Sequence, residues 1–368
     1  MDVADFRKQF PALERLVWLN TPTVAPGARP VLEAFRGALD EWEDGSLSWQ
    51  RWEADAYATR PMFARLIGAR EEDVALFTFV AEAASTVAAS LPQGRVVVGE
   101  REFQSNLFPW LALGDRGFEV VQVPATDGVT RTETLAQAIT EGTVLVAVTE
   151  VQSSNGFRVH LPELAARCRE VGARLFVDLA QSVGALRFDA QASGADFAAA
   201  PGYKWLVGPR GATWLWTHPE RRDELRPLAP NWHSVADPYA EYYGGPMELA
   251  PDARRLDTSM AWLSWVGARA ALDLLLGLDA GEVEARALGL ARAFREGAAD
   301  AGFQLIAEEA PSQTVGVRLD DPDAARAGLK EQGIIGAVRD GFLRLGFHAF
   351  NDESDVEAAL RALGKAET

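Results

Sequence analysis

Cysteine is nearly absent. The 368-residue chain holds one, Cys168, so no disulfide can close within it. Its four histidines (His160, His218, His233 and His348) lie far apart, with no Cys or carboxylate at metal-ligand spacing, which argues against a metal site. No apolar run approaches the roughly 20 residues of a membrane span. Met1-Asp2-Val3-Ala4-Asp5 offers no basic stretch leading into an apolar one, so no secretory signal is expected. No Gly-x-Gly-x-x-Gly follows a strand pattern, which counts against a dinucleotide oxidoreductase. Positive charge is in deficit. Lys and Arg number 36 against 53 Asp and Glu, a net charge of -17 spread along the chain. Such a field repels phosphate backbones and anionic lipids, so neither nucleic acid nor membrane is an expected partner. Together these absences predict a cytoplasmic protein.

What is present suits a compact protein. Hydrophobic residues make up 48%, and the length exceeds what one core usually supports, so a large domain and a smaller one are expected. Short apolar runs predict strands at 74–78, 95–99, 119–123, 144–149, 174–178, 196–199 and 213–217, nearly continuous as in strands covered on both faces. Helical patterns lie between several of them. One spans 161–171, opened by Pro162 and closed by Gly172. Strand and helix in alternation predict an α/β fold with a mostly parallel seven-stranded sheet. Ligands of such sheets bind beyond the carboxyl ends of the strands. Beyond residue 257 the pattern changes to long helices at 262–276 and 282–301, strands at 314–319 and 342–345, and a helix at 355–363, predicting a small C-terminal α+β domain. The expected division is an N-terminal segment (1–25) on the small domain and the mouth of the site, a large domain (26–245) and a small domain (246–368).

The densest chemical signal is Phe176-Val177-Asp178-Leu179-Ala180-Gln181-Ser182-Val183-Gly184, followed by Ala195-Asp196-Phe197 and Gly202-Tyr203-Lys204-Trp205-Leu206-Val207-Gly208-Pro209. Asp178 ends a buried strand and faces the crevice, where a carboxylate can hold a pyridine nitrogen protonated. Lys204 sits on a loop between strands, flanked by aromatics, where a partly desolvated amine can form imines.

These segments resemble the class V aminotransferase family of fold-type-I pyridoxal-phosphate (PLP) enzymes, which includes kynureninases, cysteine desulfurases and isopenicillin N epimerase-like proteins. The resemblance covers most of the chain. It implies that Lys204 carries PLP as a Schiff base, that Asp178 pairs with the pyridine nitrogen, that Gln181 lies near the phenolic oxygen, and that Tyr203 donates its hydroxyl to the phosphate. Glu100-Arg101-Glu102-Phe103-Gln104-Ser105-Asn106-Leu107-Phe108-Pro109-Trp110 is similar to a stretch that places a ring over the cofactor, here Phe103. Thr78-Phe79-Val80-Ala81-Glu82-Ala83 resembles the turn whose amides grip the phosphate, assigning Ala81 and Glu82 to cofactor binding although Val80 and Ala81 replace its hydroxyl residues. The loop Thr149-Glu150-Val151-Gln152-Ser153 brings Ser153 beside the ring, with Gln152 an alternative. The stretch Arg254-Arg255-Leu256-Asp257-Thr258-Ser259 offers Thr258 or Ser259 to a partner subunit's phosphate. Arg344, in Phe342-Leu343-Arg344-Leu345, would fork onto the substrate carboxylate, and Asn20 would line the mouth.

The resemblance therefore implies a PLP-dependent enzyme acting at the α-carbon of an amino acid, with shared sites in a homodimer. Transamination is the leading expectation. Lyase chemistry (C–S β-elimination or kynureninase-like cleavage) is the alternative, then epimerisation, then a non-catalytic PLP-binding regulator. Cys168 falls inside a helix rather than on a mobile small-domain loop, so cysteine desulfurase is not expected. Trp49, Trp52, Trp232 and Trp262 are candidates for an aromatic pocket.

Overall fold

A computed structural model describes residues 1–240, 242–339 and 341–364. Seven strands build the main sheet: β1 (Val74–Phe77), β2 (Arg95–Gly99), β3 (Glu119–Val123), β4 (Thr143–Thr149), β5 (Arg174–Asp178), β6 (Phe197–Pro201) and β7 (Thr213–Thr217). Their spatial order is β1-β7-β6-β5-β4-β2-β3. All pairings from β3 to β6 are parallel, while β7 runs antiparallel to both its neighbours, β6 and β1. The expected α/β fold with a mostly parallel seven-stranded sheet is therefore observed. The antiparallel β7 was not legible from its apolar run.

Alternate residues of each strand feed two cores, as a period of two requires. Val146, Val148, Leu175, Val177, Ala198 and Trp214 point to one face. Leu145, Ala147, Phe176, Ala199 and Leu215 point to the other. The first face is covered by α1 (Arg29–Asp44) and α2 (Trp49–Leu66); Phe63 of α2 stacks on Trp214 with centroids 5.1 Å apart. The second is covered by α3 (Val80–Ser90), whose Ala83, Ala84 and Val87 are fully buried. Helix α4 (Leu161–Val171) starts with Pro162 in its first turn and stops at Gly172, whose φ of 75° suits only glycine well.

Helix α5 (Trp262–Leu276) packs against α1 and α2, and its Trp265 meets Trp214 edge-on at 5.5 Å. Packing thus ties 262–276 to the large sheet, whereas the sequence division had placed it in the smaller unit. The transition falls within α6 (Ala280–Asp300): Val283 joins the large core, and Leu290, Phe294 and Ala298 join a separate one. That second core lies under an antiparallel sheet ordered β10-β11-β9-β8, from β8 (Leu305–Ile306), β9 (Thr314–Arg318), β10 (Ala337–Arg339) and β11 (Phe342–Gly346). Helices α7 (Pro322–Glu331) and α8 (Glu353–Gly364) complete it. The N-terminal segment crosses to this unit: Val17–Trp18 pairs in parallel with Ile334–Ile335, and Leu19 accepts the Gly346 amide at 2.8 Å. Among the described residues no helix is long and apolar enough to cross a membrane.

Candidate active site

The parallel strands end on one side of the sheet, and the chemistry-bearing residues gather there. Asp178 closes β5. It is buried and accepts the Ala180 amide at 2.8 Å. Burial pushes its carboxyl up to about 6, with the charge of Lys204 opposing the rise. Lys204 lies on the β6–β7 loop and is 5% exposed. Burial lowers its amine to about 8; Asp178 opposes this and Arg344 adds to it. Its Nζ is 5.4 Å from the Phe103 ring centroid and 5.5 Å from that of Tyr203. Phe103 is half exposed and faces the amine.

The loop that carries Lys204 is over-determined. Lys204 accepts the Val207 amide at 3.1 Å, and Gly202 accepts that of Gly208 at 2.8 Å. Val207 holds a φ of 49°, a strained value for a β-branched residue. From below, Gly184 (φ 102°) approaches so closely that a Cβ would lie 2.3 Å from the Trp205 carbonyl oxygen. His348 approaches from the other side. Its Nε2 bonds the Trp205 carbonyl at 2.9 Å, and its ring stacks on Trp205 and Phe350. Burial drives its imidazole down to about 4.

A polar chain links three parts of the molecule. Gln181 donates from Nε2 to Ser153 Oγ and to the Pro22 carbonyl, both at 2.9 Å, and accepts the Trp205 indole N–H at 2.9 Å. Arg344 donates from Nη1 to the Ser153 carbonyl at 2.6 Å and from Nη2 to Thr23 Oγ1 at 2.7 Å. Its Nε is buried without a partner, as is Asn20 Oδ1. Burial lowers the guanidinium to about 10. Gln152 turns away, bonding Thr130 and Asn155 instead.

Two residues assigned to the cofactor bond elsewhere within this chain. Glu82 spends both its groups inside its own turn. Its Oε2 accepts the Thr78 and Phe79 amides at 3.0 and 3.3 Å, and its own N–H goes to the Phe79 carbonyl. It shapes the turn and offers nothing to an anion, unlike Ala81, whose amide lies in the unpaired first turn of α3. Thr258 donates its N–H to the Leu76 carbonyl at 3.0 Å, with its hydroxyl 3.5 Å from the same oxygen. Within its own chain it is therefore an anchor on β1.

Sequence reasoning did not single out Glu102, Thr23 or His348. Glu102 accepts the Thr149 amide at 2.9 Å, the Thr149 hydroxyl and Asn106 Nδ2 at 3.1 Å. Burial, with Asp178 adding, pushes it up to about 7. The Glu102-x-x-x-Asn106 spacing beside Phe103 was the available signal. Thr23 closes the 18–23 stretch that resembles the family's mouth segment, without being singled out in it, and His348 carried no signal, because only its contact with Trp205 gives it meaning. The four tryptophans do gather: Trp49 stacks on Trp262 at 6.0 Å and meets Trp232 edge-on at 5.8 Å, and Trp52 tilts against Trp262. Cys168 is buried in α4, and its thiol is raised to about 12, which makes it a poor nucleophile.

The donor set fits PLP. It combines an amine of lowered basicity, a strand-end carboxylate, a ring and a tyrosine facing the amine, and the free first-turn amides of a helix. The aminotransferase class-V family model matches residues 45–359. An uncharacterized aminotransferase, YcbU, of Bacillus subtilis is 29% identical over 96% of this chain and 95% of its own. The kynureninase of Pseudomonas fluorescens is 27% identical over 99% of this chain and 92% of its own. The cystine C-S lyase C-DES, solved with cysteine persulfide, superposes with a TM-score of 0.86 at 23% identity, over 97% of this chain and 99% of that one.

Proposed function

Because the chain belongs to the class-V aminotransferase family of PLP-dependent transferases and lyases, we propose that Lys204 is its PLP lysine and that it transfers the amino group of an amino acid. The observation that carries this is the buried Lys204 amine, lowered to about 8, close enough to Asp178 for each to shift the other. Bound PLP supplies the electron sink for charge developing at the substrate α-carbon. Asp178 is the counter-ion that keeps the pyridine nitrogen protonated. Lys204, as the free amine, would take the substrate α-proton and hold it at Nζ; an amine lowered to about 8 is better poised for that near neutral pH than one of ordinary basicity. Phe103, whose ring faces the Lys204 amine, would cover the bound ring and keep water from it. Gln181 and Ser153 fix polar edges, and Arg344 orients the carboxylate. Tyr203 and the α3 amides hold the phosphate.

Lyase chemistry is the second reading. The full-length similarity to a kynureninase and the aromatic Phe103 favour it. A homodimer in the cytoplasm is the assembly and location we assign. The test is to incubate the purified protein and PLP with amino acids and cysteine conjugates, with and without a keto-acid acceptor. Transamination yields keto acid beyond one equivalent per site only with an acceptor present. Ammonia, or pyruvate in excess of the bound and added cofactor, released without one would favour the lyase. A protein whose absorption stays unchanged with added PLP would refute both.

A further inference from the structure

A phosphate ester carries close to two negative charges at neutral pH, in a protein whose own charge is -17. The turn ahead of α3 meets it with little. Val80 and Ala81 contribute amides but no hydroxyls, and Glu82 places a carboxylate in the same turn. Amides and a helix dipole favour an anion without neutralising it. A cation would complete the site, and the sheet topology brings one.

Because β7 is antiparallel, its beginning lies where the parallel strands end. Thr213 opens β7, pairs with Phe77 at the end of β1, and donates its hydroxyl to the Thr78 carbonyl at 3.1 Å. The residues just before β7 therefore stand beside the 78–82 turn. Arg210 is among them. Its guanidinium carbon is 5.4 Å from the centroid of the Phe79 ring, on the turn, and 5.8 Å from that of Tyr203, next to Lys204. Among the described residues these rings are its recorded contacts, and no carboxylate pairs with it. Its place is fixed from behind. Gly211 holds a φ of 101°, and a Cβ there would lie 2.5 Å from Ser264 Oγ on α5. An exposed arginine laid over a ring gains little from it. That does not explain why the two rings belong to the two segments that flank a phosphate site.

We propose that Arg210 grips the phosphate of the cofactor, closing a cradle made with the Val80 and Ala81 amides and the Tyr203 hydroxyl; this rests on the PLP reading above. The planar guanidinium offers paired N–H groups that match two phosphate oxygens, and its charge is permanent. Arg210 would thus supply what the turn lacks.

The test separates the phosphate from the ring. The apo protein and its Arg210→Gln and Arg210→Lys variants are titrated with PLP and with pyridoxal, which lacks the phosphate, following cofactor absorbance and tryptophan fluorescence. Arg210→Gln is expected to weaken PLP roughly 10- to 100-fold, the value of hydrogen bonds to a charged group, and to leave pyridoxal unchanged. Arg210→Lys should fall between, keeping charge and losing the fork. Thermal melts of the apo proteins should coincide, since the side chain is exposed. Wild-type-like PLP affinity in Arg210→Gln would overturn the assignment, as would an equal loss for both aldehydes. If the unmodified protein responds to neither aldehyde, the PLP reading itself falls, and this inference with it.

Discussion

At the scale of single residues, burial sets the chemistry. Lys204 and Asp178 shift in opposite directions for the same reason, loss of water, and each tempers the other. Removing the carboxylate charge should carry Lys204 further down. We predict that in Asp178→Asn the apo protein's reaction with PLP becomes independent of pH at a lower pH than in the unmodified chain. An unmoved pH profile would dissociate the pair. Borohydride reduction of the holoprotein should fix the cofactor mass on the peptide containing Lys204, and Lys204→Ala should lose it. The signal for this lysine was stronger than its motif alone. The sequence has only Lys8, Lys204, Lys330 and Lys365, and both Lys8 and Lys330 are exposed while Lys204 is buried. Arg210 had no such distinction. It is one arginine among many, and its meaning depends on strand direction.

At the scale of elements, the site is a meeting of loops held by backbone approach. Helix α4 was legible to the residue, because Pro162 and Gly172 mark both ends chemically. The direction of β7 was not, because an apolar run reads the same both ways. Nor was the assignment of α5: its apolar faces fit either unit, and its packing on α1, α2 and Trp214 decides. The β5 turn and the lysine loop meet at Gly184, where both φ and space demand glycine. Gly184→Ala is expected to cost on the order of 3 kcal/mol, seen as a lower urea midpoint. The shift of Trp205 should also slow PLP attachment at Lys204. An alanine variant as stable as the parent would mean that the approach relaxes freely.

At the scale of the whole molecule, two buried histidines tie acid stability to the packing of separate regions. His348 and His233 are both driven to about 4 by burial, below the ordinary 6.5. The unfolded chain then binds more protons than the folded one between those values. Their contribution to stability is full above pH 6.5 and declines as pH falls toward 4, by at most about 3 kcal/mol each. Urea midpoints measured from pH 7 to 4.5 should therefore fall less steeply in His348→Gln than in the parent, by up to one proton's worth of slope. Equal slopes would show that His348 titrates normally. Arg344 joins regions more directly still. Its guanidinium already holds Ser153 of the large unit and Thr23 of the N-terminal segment, while its own strand belongs to the small one. The substrate carboxylate that we propose for it would meet Nη groups already donating to Ser153 and Thr23 and would exchange with those oxygens, while the unpartnered Nε stands open to it. Neutral amides and esters gain little from that exchange, whereas a full carboxylate does. On that proposal the site would reject near-substrates before any bond is broken, and an accepted acid would loosen the bridge that Arg344 makes between Ser153 and Thr23, while Gln181 still joins Ser153 to Pro22.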